Sequence, residues 1–319
     1  MIENLLIVAQ QVAILFVLMG FGAAMRRAGF FKENAIDGIV NVLLLVVTPC
    51  LIVDVFQRPF DPSKLKGLGI AFAAAVFVHA VLIVLSRFAV RHGEGNVRRP
   101  LLLAAVFSNA GFMGSPLEQA VLGDGGVFYG IVYVVVFNLF MWSWGLRTMC
   151  AAGIRDQGLG IRDRGMSLKM WVNPGTVGLA LGAPFFFLSV KLPAVIGVPV
   201  HHMANLNTPL AMIVIGYSLV GARFGKVVRM GALYGATVVR LLICPLLAIA
   251  AFYPLRHALD RDMMLATVIA ASAPVAAMVA MFAAKFGRDV DAAVAVVSGT
   301  TLLSILTMPV VIAFAMAVL

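Results

Sequence analysis

The chain has 319 residues and a formal net charge of +10; 62% of it is hydrophobic, 12% is charged, and the mean hydropathy is +1.03. That balance excludes a soluble globular domain, which would aggregate, and describes a polytopic membrane protein. The positive charge does not indicate nucleic acid, because Lys and Arg fall in short runs between apolar stretches and act as topogenic signals.

About 20 apolar residues cross the hydrocarbon core, and ten stretches meet that measure: 5–25, 36–56, 67–90, 100–121, 126–149, 173–191, 203–222, 229–254, 263–285 and 290–317. The first follows Met-Ile-Glu-Asn, which lacks the positive n-region of a signal peptide, so it is expected to remain as the first helix. The fourth is interrupted at Phe107-Ser108-Asn109-Ala110-Gly111-Phe112-Met113-Gly114-Ser115-Pro116-Leu117, and the ninth at Ser272-Ala273-Pro274. A helix broken at bilayer depth is tolerated only where its freed backbone is packed in protein or lines a cavity. Paired breaks at corresponding places in two halves point to the substrate site of a secondary transporter.

The most polar connection, Ala151 to Met170, separates five spans from five. Thr48-Pro49 returns as Thr208-Pro209, and Pro116 returns as Pro274 at nearly the same offset. An odd number of spans per half inverts the second copy. The expected fold is therefore all-α, with ten transmembrane helices in two inverted five-helix repeats, 1–150 and 171–319, and with broken helices four and nine crossed. Loops after odd-numbered spans hold 17 of the 24 basic residues, which puts the linker in the cytoplasm and both termini outside.

Ser115-Pro116-Leu117-Glu118 has the form of a capping box, with Ser115 as N-cap, Pro116 at the first helical position and Glu118 reaching back. A half-helix starting there would offer unpaired N–H groups and a positive dipole end to an anion such as a carboxylate, and Pro274 can do the same in the second half. Asn109 is a candidate substrate ligand because its amide both donates and accepts. The alternative is that it satisfies the loose backbone of the break. Glu118 is also a candidate for binding a proton or cation.

Arg240 sits within span eight, where a charge must be paired or face water. It can attract an anionic substrate, or it can snorkel or pin carbonyls at a helix break. Asp54 is expected at the interface. Asn138, Asn205 and Asn207 can line the same cavity or simply bridge helices. His79 lies mid-span, and His201-His202 are expected in an outer loop as weak candidates for pH sensing. Cys50, Cys150 and Cys244 have neither CxxC nor Cys/His spacing, so free thiols and no structural metal are expected.

These residues resemble the auxin efflux carrier family, and the resemblance covers nearly the whole chain. It is carried by Asn109 through Leu117, Asn173-Pro174, Arg240-Leu241-Leu242 with Pro245, and Ala273-Pro274. Further on it includes Phe282 through Asp289, and Ser298-Gly299-Thr300-Thr301 through Met308-Pro309. The resemblance implies a fold like that of sodium/proton antiporters and bile-acid transporters. Spans one, two, six and seven would be the scaffold, and spans three to five and eight to ten the moving domain. Helices four and nine would cross at Pro116 and Pro274, transport would be elevator-like, and Asn109 would bind a carboxylate faced by Val47 and Thr48. The linker, Ala151 to Met170, is far shorter than the central loop of many plant exporters, and Glu118 is acidic where plant members are neutral or basic. The second departure leaves proton coupling open, and the sequence supports an organic-anion carrier better than one of auxin itself; the resemblance to bacterial members, which are associated with malonate and similar carboxylates, implies that substrate class and a bacterial inner membrane.

The rival from another class is an intramembrane enzyme, alongside a channel or an ion-coupled symporter of a different solute. The sequence has no GxSG with a partner histidine, no HExxH and no aspartate-rich motif, so an enzyme is not expected. No cofactor is expected. The partners implied are a small organic anion, the lipid bilayer and a second copy of the chain in a homodimer.

Overall fold

A computed structural model describes residues 2–30, 33–91, 95–150, 174–220 and 230–319. The linker Ala151 to Met170 lies outside the described residues. Among them the protein is all-helical, and seven helices are long and apolar enough to cross a membrane. The first is α1 (Ile2–Arg27). Next come α2 (Glu33–Val42) and α3 (Thr48–Phe56), joined by a π-helical turn, Leu43–Val47. α4 (Pro62–Ala89) follows, then the shorter α5 (Gly95–Val106) and α6 (Ser115–Leu122), separated by non-helical residues 107–109 and a π turn, Ala110–Gly114.

α7 (Asp124–Phe140) runs through the π turn Met141–Gly145 into α8 (Leu146–Cys150). Beyond the linker lie α9 (Pro174–Leu188), α10 (Ala194–Asn205) and α11 (Asn207–Val220). α12 (Gly231–Val238) passes through the π turn Val239–Ile243 into α13 (Cys244–Phe252). α14 (Arg261–Ser272) and α15 (Met278–Lys285) are separated by residues 273–277, and α16 (Val290–Val318) ends the chain.

Among the described residues, three of the four π turns end immediately before an X-Pro pair: Thr48-Pro49, Ser115-Pro116 and Cys244-Pro245. In each, the residue before the proline donates its N–H one π turn back, to the carbonyl of Leu43, Ala110 or Val239. Proline removes one i to i−4 bond and its ring presses on the carbonyl of that turn; a locally wider turn relieves the clash without ending the helix. This corrects the capping box. Ser115 has helical backbone (φ −60°, ψ −41°), and α6 continues the π turn instead of starting at Ser115. The break lies earlier, at 107–109.

His201-His202 are also displaced from expectation. They lie near the C-terminal end of α10, which begins after Pro193 and runs almost directly into α11, so the expected outer loop is helical.

The described interior holds two buried apolar clusters. The larger joins α4, α5, α7, α12 to α15 and part of α3 with Phe186 of α9. The smaller joins Val8, Val12, Leu15 and Met19 of α1 to Leu43, Val47, Met113, Leu117, Ala211, Met212 and Ile215, and to Ile269, Ala273, Met308 and Ile312. α1 and α11 pack backbone to backbone there: a Cβ on Gly22 would overlap the carbonyl of Ile213, and one on Gly216 the carbonyl of Met19. Small residues at such crossings let dispersion contacts and backbone approach replace the hydrophobic drive that lipid cannot supply.

Candidate functional site

The two breaks meet. Ser108 and Val275 form an antiparallel bridge, with Asn109 N–H donating to Pro274 O at 2.7 Å and Ala276 N–H donating to Phe107 O at 3.0 Å. Backbone that leaves the helix inside lipid must find partners within the protein, and each break supplies them to the other. Val275 N–H takes a further partner, the Thr300 hydroxyl of α16 at 3.1 Å. The crossing thus includes Pro274 and Asn109 but not Pro116, which lies on α6 beyond the π turn.

Four helix ends gather at this crossing. The C-terminal ends of α5 and α14 present carbonyls that carry the negative end of the dipole. Arg240, fully buried in the π turn Val239–Ile243, donates Nη1 to Val106 O at 2.7 Å and Nη2 to Ala271 O and to Cys244 Sγ. One guanidinium therefore caps both half-helices. Of the two readings of Arg240 from the sequence, pinning carbonyls at a break is the one its hydrogen bonds describe.

On the other side are the N-terminal ends. Asn109 O accepts from Met113 N–H at 2.9 Å and Gly114 N–H at 3.1 Å, opening the π turn that leads into α6; α15 starts at Met278. The first N–H groups of each, at 110–112 and 277–278, precede any intrahelical acceptor. Asn109 itself is 6% exposed, and its side-chain amide makes no hydrogen bond among the described residues.

A cavity of about 90 Å³ opens beside α6, lined by Leu51, Asp54 and Val55 of α3, Ser115 and Gln119 of α6, and Ala204, Asn205, Asn207 and Thr208 around the α10–α11 junction. Asp124, Val127 and His201 complete the lining. It has room for several waters but is smaller than the few hundred Å³ of a typical small-molecule pocket, so a substrate of several heavy atoms needs the walls to part. At its mouth His201 Nδ1 and Asp54 Oδ2 lie 2.9 Å apart, and Asn205 Nδ2 is 3.1 Å from His201 Nε2. Gln119 holds Asp124 at 2.9 Å. Ser115 lines this cavity and Asn109 is not among its lining residues.

The remaining candidates divide. Val47 is fully buried in the apolar cluster that includes Met113, Leu117 and Ala273 of the crossing region. Thr48 turns its hydroxyl back to Leu43 O at 2.8 Å. Asn138 donates to Val134 O of its own helix at 2.9 Å and is not among the residues lining the cavity. Glu118 is buried on α6, and neither of its carboxyl oxygens has a partner among the described residues.

Sequence reading missed a buried polar group behind the crossing. His79 of α4 donates Nδ1–H to Ala75 O at 2.8 Å and stacks on Phe140. Its ring lies 5.0 Å from that of Tyr133, whose hydroxyl is 4.0 Å from Cys244 Sγ. His79 Nε2 and Arg240 Nε have no partner among the described residues. Only the separate residues, not their meeting, were visible along the chain.

The profile of a family described as "Membrane transport protein" matches residues 7–157 and 164–312. An uncharacterized transporter of Methanothermobacter thermautotrophicus is 26% identical over 299 residues, covering 92% of this chain and 93% of its own.

Proposed function

The chain belongs to the membrane transport protein family, and from that premise we propose that it is a secondary carrier of small organic anions, carboxylates of the malonate kind, working by an elevator-type exchange of access. The observation that carries the reading is the antiparallel pairing of Ser108 with Val275, which aims two half-helix N-termini at one region of the protein interior. Such ends bind a carboxylate through backbone N–H groups and dipole without a charged side chain, and Asn109 adds an amide beside them.

In this reading the α1, α2–α3, α9 and α10–α11 segments are the scaffold, and α4 to α8 with α12 to α16 the moving body. Spans count ten in two inverted repeats, with the linker cytoplasmic and both termini outside a bacterial inner membrane. What supports the division is packing: α1 lies along α11 and α3 along α9, while the broken helices are surrounded by α4, α7, α12 and α13. The smaller apolar cluster would be the sliding surface. An anion leaving a cell that is negative inside gains about 2.3 kcal/mol per charge per 100 mV, enough to drive export.

Solid-supported-membrane electrophysiology on proteoliposomes tests this, applying malonate, succinate, a monocarboxylate and indole-3-acetate under sodium and pH gradients. The expected outcome is a saturable response to a short carboxylate that is reduced in Asn109→Ala. Absence of binding to all four acids, checked by thermal stabilisation, would reject the substrate class.

A further inference from the structure

Glu118 has 1% of its surface exposed, and neither carboxyl oxygen meets a hydrogen-bond donor among the described residues. It is not a cap, because Ser115 and Glu118 both lie inside continuous helix and no backbone N–H reaches the carboxyl. The side chain fits a cradle that Gly130 of α7 leaves open: a Cβ there would overlap the carboxyl group. Its neighbours on α6, Ser115 and Gln119, line the cavity, so the acid stands directly behind the cavity wall.

The elements packed on α6 bring no counter-charge to it. On α7, Asp124 is engaged by Gln119, Tyr129 by Asp260, and Tyr133 faces Cys244. On α14, Arg261 reaches Met316 O, and its neighbour Asp262 lies at the start of the helix, near Gly125. On α1, Arg26 and Arg27 are in the last turn, Arg26 against the α11 residue Tyr217. A carboxylate without donor or cation is strongly disfavoured in such surroundings, whereas the neutral acid fits. Among the described residues no group of three or more His, Cys, Asp and Glu could hold a metal ion, so a bare proton suits the site better than a cation needing several oxygen ligands.

We propose that Glu118 is the proton carrier of this transporter: it holds a proton in the conformation described here and gives it up to the cavity when α6 moves against the scaffold, coupling proton flow to the anion. The proposal rests on the carrier reading above. The step forms one O–H bond on Glu118, with the proton taken from water on one side, and breaks it by return to water on the other; no electrons move. One proton accompanying a monocarboxylate cancels its charge, and one accompanying a dianion leaves a single negative charge to cross.

The test uses the full chain in proteoliposomes with an entrapped pH-sensitive dye and an imposed malonate gradient. The wild type should move protons with malonate. Glu118→Gln should lose at least ten-fold of that proton flux while still binding malonate by thermal stabilisation; equal proton flux in the variant overturns the proposal. Infrared difference spectra of the purified protein between neutral and alkaline pH supply a readout independent of substrate. A protonated-carboxyl C=O band should be present in the wild type and missing in Glu118→Gln, and its absence from the wild type overturns the proposal even if malonate is carried. If no acid is carried, the substrate reading fails and the infrared band still decides the protonation of Glu118. Where Glu118→Gln does not fold, Glu118→Asp keeps an acid but withdraws it by one methylene, and the pH midpoint of transport should move; an unmoved midpoint overturns the assignment.

Discussion

Asn109 donates its backbone N–H to the carbonyl oxygen of Pro274 across 2.7 Å, joining the two halves of the chain at the centre of the protein. Because the bond is made by the main chain, the Asn109 side chain is not needed to hold the crossing together.

Asn109→Ala should therefore leave thermal stability and monodispersity nearly unchanged while weakening anion binding. A lost hydrogen bond to a charged group is worth about 1.5–3 kcal/mol, roughly ten- to hundred-fold in apparent affinity. An unaltered half-saturation concentration for malonate would remove Asn109 from the site.

Arg240 behaves oppositely. Arg240→Met should strip donors from the carbonyls of Val106 and Ala271 together, at about 1–3 kcal/mol for each buried group left unsatisfied. Thermal unfolding in detergent should show a large loss, with only partial recovery in Arg240→Lys, since an ammonium lacks the planar fork that reaches two helix ends. A wild-type melting temperature in Arg240→Met would contradict the capping role.

The α1–α11 contact makes a sharper comparison. Gly22→Ala puts its Cβ into the carbonyl of Ile213, whereas the Cβ of Gly20→Ala meets nothing within 4 Å. The first should destabilise by about 1–3 kcal/mol or more, as overpacking does, and the second should not. Equal melting temperatures for the two variants would show that the helices do not approach at Gly22.

Outside the membrane-spanning segments, Asp61 caps α4 and accepts from both the N–H and the hydroxyl of Ser63, at 2.8 Å and 2.7 Å. These bonds hold its carboxyl below the ordinary value of 3.8. The unfolded chain then binds more protons than the folded one in that range, so the stabilisation is fully present above the ordinary value and is lost as pH falls through the lowered one. Asp61→Ala should melt below the wild type at neutral pH, and the gap should close under acid conditions. A gap that persists unchanged in acid would point to packing instead.

What the sequence disclosed and concealed follows from the range of each interaction. Apolar length and the two interruptions are local composition, so the membrane class and the pairing of breaks were readable. Pro116 is misleading because a proline announces a lost hydrogen bond without saying whether the helix ends or widens, and here the π turn Ala110–Gly114 absorbs it. The true exit at 107–109 has no proline at all.

Arg240 and Thr300 act on carbonyl and N–H groups that lie far off along the chain, and backbone partners leave no mark in residue type. The aspartate caps at Asp61, Asp260 and Asp289 are a different matter. Each stands at the start of an apolar helix, a signal that could have fixed three boundaries.

Ser108 and Val275, paired across the crossing, belong to opposite halves of the chain, on either side of the linker. During synthesis at about 5–20 residues per second, the first break waits roughly ten to thirty seconds for its mate. Throughout that interval the main-chain groups of Phe107 and Asn109 lack their final partners, and Arg240, far beyond Val106 in the chain, has not arrived to cap α5. The N-terminal half must therefore be held by the insertion machinery, or kept near the water interface, until the ninth apolar segment enters. A chain cut in the linker would strand both halves unless they were made together.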